Sequence, residues 1–456
     1  MDLKRDDGLT RPGGSPQDGP AQGGFLERTF ALTAHGTTVR TELLAGLTTF
    51  LTMAYIIFVN PNILGDAGMP KGAVFVATCL VAAIGSLVMA FYANYPIALA
   101  PGMGLNAYFA YVVVLQMGYT WQAALGAVFI SGLLFMVVTL TGLRRIIVEG
   151  IPRSMRIAIT VGIGLFLAII ALKSAGVVTA SPATFVTLGD LHKPSTVLAV
   201  LGFLIVTVLS VRKVRGALLA GILSVTILSF LVADNTFQGV ASLPPSIAPT
   251  LFALDITDAL SGGLLNVILV FFLVELFDAT GTLMGVANRA GLLTEGKMER
   301  LDKALMADSS SIFVGSLLGT SSTTAYLESA SGVEEGGRTG LTAATVAVLF
   351  LACLFFAPLA GSVPAYATAP ALFYVACLML HELVDLDWDD LTEVLPACVT
   401  ALLMPFTYSI ANGVAFGFIT YAVIKLLTGR AGQVKPVVWV IAAVFLFKFV
   451  VSGSAH

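Results

Sequence analysis

Residues 72–142 hold no Asp, Glu, Lys or Arg, and residues 339–380 are equally free of them. A helix that crosses a bilayer needs about 20 apolar residues, so each stretch has room for more than one span. A soluble core could hide one such segment but not a dozen. The chain as a whole is 57% hydrophobic and 11% charged, against roughly 25% charged residues in an ordinary soluble domain. These numbers describe an integral membrane protein. The formal net charge of -3 carries no news about partners, and no basic patch points to nucleic acid. Cys79, Cys353, Cys377 and Cys398 lie in or beside apolar runs and form neither a CxxC, a zinc spacing nor a disulfide framework.

Residues 1–24 are polar and rich in Gly and Pro, which predicts a disordered tail. The apolar run that follows lacks a small-residue cleavage pattern and is expected to remain as the first helix rather than act as a signal peptide. Spans are predicted at 43–62, 72–92, 96–114, 121–142, 155–173, 195–211, 215–233, 260–284, 304–318, 322–332, 338–357, 362–380 and 436–451. The region 391–427 reads as one span, a tight pair or a broken helix, because Pro396, Pro405, Asn412 and Gly413 interrupt it. Lys and Arg cluster in the tail and after the fourth, sixth and eighth spans, for example Arg144, Arg145, Arg212 and Arg289. The positive-inside rule then puts the amino terminus in the cytoplasm of a plasma (inner) membrane protein. Lys425, Arg430 and Lys435 favour the same side, which leaves the parity of the last hundred residues open.

Two spans are irregular. Pro96, Pro101, Gly102 and Gly104 crowd residues 95–111, and "GTSSTTAYLESASG" at 319–332 is short and rich in hydroxyls. Irregular backbone at membrane depth needs protein or a water-lined cavity around it. Gly102 and Tyr326 are 224 residues apart, close to the offset between the spans that begin at 43 and 260. Interrupted segments at matching places in two halves point to a transporter site at a repeat interface. With about seven spans in each half, 40–235 and 255–451, the repeats would be inverted.

Acids inside spans are the candidates for chemistry. Glu275 and Asp278 are three residues apart and share a helix face. A carboxylate near the bilayer centre costs about 2.5–3.5 kcal/mol, so the pair is expected to face a cavity or partners, as a proton or cation coupling site or as acceptors for substrate N–H groups. Glu328 sits among Ser321, Ser322, Thr323, Thr324, Ser329 and Ser331, which suits a polar cavity. Asn106 carries a donor and an acceptor that fit a heterocycle edge and fit a backbone cap equally well. Tyr95, Tyr108, Phe109 and Tyr326 offer stacking faces. His35, His192, His381 and His456 are all outside the middle of a span, against a histidine relay. The rival readings are a membrane enzyme, which lacks a metal motif or nucleophile elbow, and a channel lined by acids.

"GLTTFLTMAYIIFVNPNIL" (46–64), "APGMGLNAYFAY" (100–111), "LVELFDATGTLMGVANRAG" (273–291) and "LLGTSSTTAYLESASGVEEGGRTGLTA" (317–343) resemble the AzgA-type purine permeases of the nucleobase–cation symporters. The resemblance implies an all-α polytopic membrane protein of about 14 transmembrane segments, built as two inverted 7-segment repeats with interrupted third and tenth segments. The repeats would be 25–235 and 260–451, joined by an extracellular connection at 236–259. A core domain is expected from 43–142 and 260–357, and a gate domain from 155–233 and 362–451. The implied activity is proton-coupled import of hypoxanthine, guanine or adenine by alternating access, with no cofactor, no metal and no enzymatic turnover; another nucleobase such as xanthine or uracil is the alternative. Related permeases are often dimers, so a homodimer in the lipid bilayer is expected. By similarity Gly104 and Asn106 match a substrate-proximal Gly-x-Asn, Asp278 the acid of the eighth segment, and Glu328 the glutamate that hydrogen-bonds the purine. Glu275, one turn before Asp278, carries the least defined role among the coupling candidates Asp278, Glu275 and Glu328.

Overall fold

The computed structural model describes residues 24–143, 147, 150–233, 235–260, 264–294 and 297–453. The expected tail, apart from Gly24, lies outside them, as do Arg144, Arg145 and His456. Among the described residues, nine helices are long and apolar enough to cross a membrane, and four shorter apolar helices accompany them. The fold is thus all-α and polytopic.

In chain order the helices that matter here are α1 (Val39–Met53), α2 (Ile56–Asp66), α3 (Lys71–Val88), α4 (Met103–Ala107), α5 (Trp121–Leu140), α6 (Arg153–Ser174), α7 (Pro194–Val211) and α8 (Ala217–Val232). They continue as α9 (Leu265–Arg289), α10 (Leu301–Leu318), α11 (Ser329–Glu334), α12 (Gly340–Cys353), α13 (Ala365–Met379), α14 (Leu391–Phe406), α15 (Ile410–Leu427) and α16 (Pro436–Gly453). Two groups emerge from who packs on whom. In one, α12 lies on α1 and α3, α10 on α3 and α5, and α9 on α5. In the other, α6 packs on α13 and α14, and α7 on α8 and α13.

The first predicted span divides between Met53 and Ile56. The Thr52 hydroxyl donates to the Thr49 carbonyl at 2.8 Å, a back-bond that bends helices. Pro61, inside α2, has no N–H for the carbonyl of Ile57. The chain therefore has an intrinsic weak point at Ala54 and Tyr55.

Segment 95–111 contains a strand, β1 (Leu99–Pro101), followed by α4 and a π-helical run from Tyr108 to Gln116. Segment 322–332, predicted as a span, is instead the strand β2 (Thr323–Ala325) followed by α11. Its six-residue helix is too short to cross a bilayer. The two strands pair antiparallel, Leu99 opposite Ala325 and Pro101 opposite Thr323. Pairing continues past the strands, where Gly102 N donates to Ser322 O at 2.9 Å and Tyr326 N to Ala98 O at 3.0 Å. Buried side chains serve the outer edges: Ser86 Oγ accepts from Leu99 N and Ser329 Oγ from Ala98 N, each at 3.0 Å. With backbone polar groups met in this way, extended chain is tolerable inside a membrane protein.

The ambiguous region 391–427 is a tight antiparallel pair. Glu393, in the first turn of α14, bonds Lys425, in the last turn of α15, at 2.7 Å. Both helices thus start and finish at one end of the bundle. Arg153, at the start of α6, bonds Asp385 at 3.0 Å at that same end. Lys425 and Arg430 therefore share an end with Arg153, which resolves the parity the sequence left open.

Candidate functional site

The fold separates the three candidate acids, the amide of Asn106 and Gly104 into different environments. Glu275 is 1% exposed. Its Oε1 accepts from Ser322 Oγ at 2.6 Å and its Oε2 from Ser131 Oγ at 2.7 Å. Helix α9 is thereby tied to α5 on one side and to the segment leading into β2 on the other. Asp278, one turn on, is only half-buried. It lies beside Thr324 and close enough to Tyr326 and Glu328 for electrostatic interaction.

Glu328 is also half-buried and sits where β2 gives way to α11. Its Oε1 accepts from Tyr55 Oη at 2.6 Å, and its backbone carbonyl faces the Thr52 hydroxyl at 3.4 Å. Both donors come from the weak point between α1 and α2. The Tyr326 hydroxyl donates to Pro101 O at 2.6 Å rather than to a carboxylate. Among the described ion pairs none involves Glu275, Asp278 or Glu328. A half-buried pair of carboxylates held by hydroxyls, with no fixed cation, is able to bind a proton or to accept N–H groups from a neutral ligand.

Gly104 and Asn106 look in different directions. A Cβ on Gly104 would stand 2.5 Å from Ile163 Cγ2, so the absence of a side chain here lets α4 pack closely on α6. Asn106 is fully buried within the first group. Its Nδ2 donates to Asn60 Oδ1 at 2.6 Å, and Asn60 in turn donates to Thr78 Oγ1 at 2.7 Å and to Thr320 Oγ1 at 2.9 Å. The Asn106 amide is thus neither a backbone cap nor free to rotate; its Oδ1 has no hydrogen-bond partner among the described residues.

Sequence reasoning missed several residues that build this region. Tyr55 and Asn60 were readable only as part of an apolar span, since nothing in their spacing says that a break in the helix aims one at Glu328. Asp308 is different. It is 1% exposed in α10 and close enough to Glu275 to interact, and the signal used for Glu275, an acid inside an apolar span, applied equally to it. Glu42 is fully buried and accepts from Arg338 N at 2.8 Å and Thr342 Oγ1 at 2.6 Å, capping the start of α12. It fell just outside the predicted span at 43–62.

Comparison with known proteins adds the chemistry of relatives. Residues 40–416 match the model described as "Permease family". The adenine permease AdeP of Escherichia coli (strain K12) is 50% identical over 428 residues, covering 94% of this chain and 96% of that protein. The guanine/hypoxanthine permease PbuO of Bacillus subtilis (strain 168) is 44% identical over 427 residues, covering 92% and 99%. Among solved structures, the transmembrane domain of a cyanobacterium bicarbonate transporter, BicA, superposes with a TM-score of 0.63 at 19% identity, covering 82% of this chain and 97% of that one. At that identity the likeness speaks for the fold alone.

Proposed function

Since the chain belongs to the Permease family and, within it, to the AzgA-like purine permeases, we propose that it carries adenine, guanine or hypoxanthine into the cell by alternating access. Membership in a transport family sets the enzyme reading aside. The observation that carries the site is the proximity of half-buried Asp278 to half-buried Glu328 beside the strands β1 and β2, with neither acid in an ion pair among the described residues. The purine ring lies against this pair, and Glu328 accepts from its N–H edge. Asn106 Oδ1, a buried acceptor, is the second contact that a donor on the ligand would complete. Asp278 takes up the proton whose downhill movement drives import, and Glu275 supports it from the sealed side.

In this reading the chain is two inverted 7-segment repeats, with the group of α1–α5 and α9–α12 as core and the group of α6–α8 and α13–α16 as gate. The α14–α15 pair forms one compact unit of the gate. Alternating access then means movement of the core, with its acids, against the gate helix α6 at Gly104 and Ile163. The amino terminus is cytoplasmic in this reading, and the working unit is a homodimer.

Uptake of labelled adenine and hypoxanthine in a host lacking its own purine permeases tests the function, with unlabelled guanine, xanthine and uracil as competitors. Saturable uptake competed by purines and not by uracil is the expected outcome; no uptake of either label would overturn the reading. In proteoliposomes an imposed inward proton gradient should accelerate accumulation, and indifference to the gradient would remove proton coupling while leaving the substrate class intact.

A further inference from the structure

The geometry points to Tyr55 as a positioning residue of the purine site, one that acts on the ligand through Glu328. This inference rests on the reading that Glu328 contacts the purine. Tyr55 is fully buried, and its hydroxyl is engaged by Glu328. Its hydroxyl donates to Glu328 Oε1 at 2.6 Å, within the range of a charge-assisted O–H···O⁻ bond. A carboxylate has two oxygens, and holding Oε1 restrains the orientation of the group. Oε2 is then the oxygen left to receive the ligand.

The backbone explains why the contact is rigid. Tyr55 caps the start of α2 at the break in the first span, and Thr52, three residues earlier, reaches the Glu328 carbonyl from the other side of the same break. Glu328 stands at its own discontinuity, between β2 and α11. Two chain breaks, one from each half of the sequence, are therefore joined at a single carboxylate. The turn at Ala54 and Tyr55, where the backbone keeps right-handed helical angles, is on this account part of the binding site.

The test is a double-mutant cycle on the purified full chain, reading equilibrium binding of tritiated adenine and hypoxanthine to Tyr55→Phe, Glu328→Gln and the double variant. Tyr55→Phe removes one oxygen and should weaken binding about tenfold, equivalent to about 1.4 kcal/mol. In the Glu328→Gln background the same change should add almost nothing, because residues that act as a unit are not additive. An equal loss in both backgrounds would mean that Tyr55 only packs, and would overturn the proposal. Wild-type protein that binds neither purine would instead overturn the function on which it rests. Where Tyr55→Phe does not fold, 3-fluorotyrosine at position 55 keeps the hydroxyl and makes it a stronger donor. A shift of its fluorine resonance between the Glu328 and Glu328→Gln forms is then expected, and no shift would refute the contact.

Discussion

Glu393 and Glu328 are both partly buried in a helical bundle, yet they are held in opposite ways. Glu393 faces a full positive charge: Lys425, whose side chain is 2% exposed, bonds it at 2.7 Å, with Tyr421 at 3.0 Å and Ser154 beside it. Glu328 has a phenol at 2.6 Å, and Asp278 stands close by. A buried ion pair locks its members, since removing either leaves an unpaired charge in a low-dielectric site. Carboxylates held by neutral donors retain the freedom to exchange a proton or a ligand. The comparison separates an acid that staples α14 to α15 from acids that keep that freedom.

The strongest challenge to this contrast is Lys425→Met. It strands Glu393 and should destabilise the protein by about 3–5 kcal/mol, visible as a large drop in the melting temperature in detergent; replacing both Lys425 and Glu393 by apolar residues should recover most of the loss. Glu328→Gln is the counterpart. It should leave the melting temperature nearly unchanged while raising KM for purine about 10–100-fold, the scale of one hydrogen bond to a charged group at about 1.5–3 kcal/mol. A stability loss without a change in KM would place Glu328 with Glu393 after all.

Glu275 sharpens the contrast within a single helix. Ser131→Ala withdraws one of its two hydroxyl donors and should cost about 1–3 kcal/mol of stability, read by denaturation, whereas Asp278→Asn should abolish gradient-driven uptake with little effect on melting. The smallest effect is expected at Arg215, which pairs with Glu335 across the two helix groups with side chains 56% and 30% exposed. Arg215→Ala should change stability by about 0–1 kcal/mol. Its signature is a salt-sensitive change in the rate of purine exchange at constant affinity, measured by counterflow.

How far the sequence could be read follows from the range of each signal. The spans at 121–142 and 195–211 were legible because a charge-free run of bilayer length has few alternatives, and α5 and α7 occupy them. The run at 319–332 reads as irregular from its hydroxyls and glycines, but its local composition does not say where the chain is extended: the strand form of Thr323–Ala325 depends on Leu99–Pro101, over two hundred residues away, supplying the partner strand. The tight pair at 391–427 could not be chosen over a broken helix, because the deciding contact between Glu393 and Lys425 is tertiary.

The sequence by itself determined that this chain lives in a membrane, that acids at 275, 278 and 328 are too costly there to be incidental, and, through its motifs, which family it joins. Only the tertiary structure decided how those acids differ. Helical spacing puts Glu275 and Asp278 on one face, but burial depends on what packs against each turn of that face. Ser131 and Ser322 close over the first, while the second stays half-open beside Glu328 and the phenol of Tyr55. Periodicity fixes a direction around a helix axis; the neighbours that meet it come from remote parts of the chain.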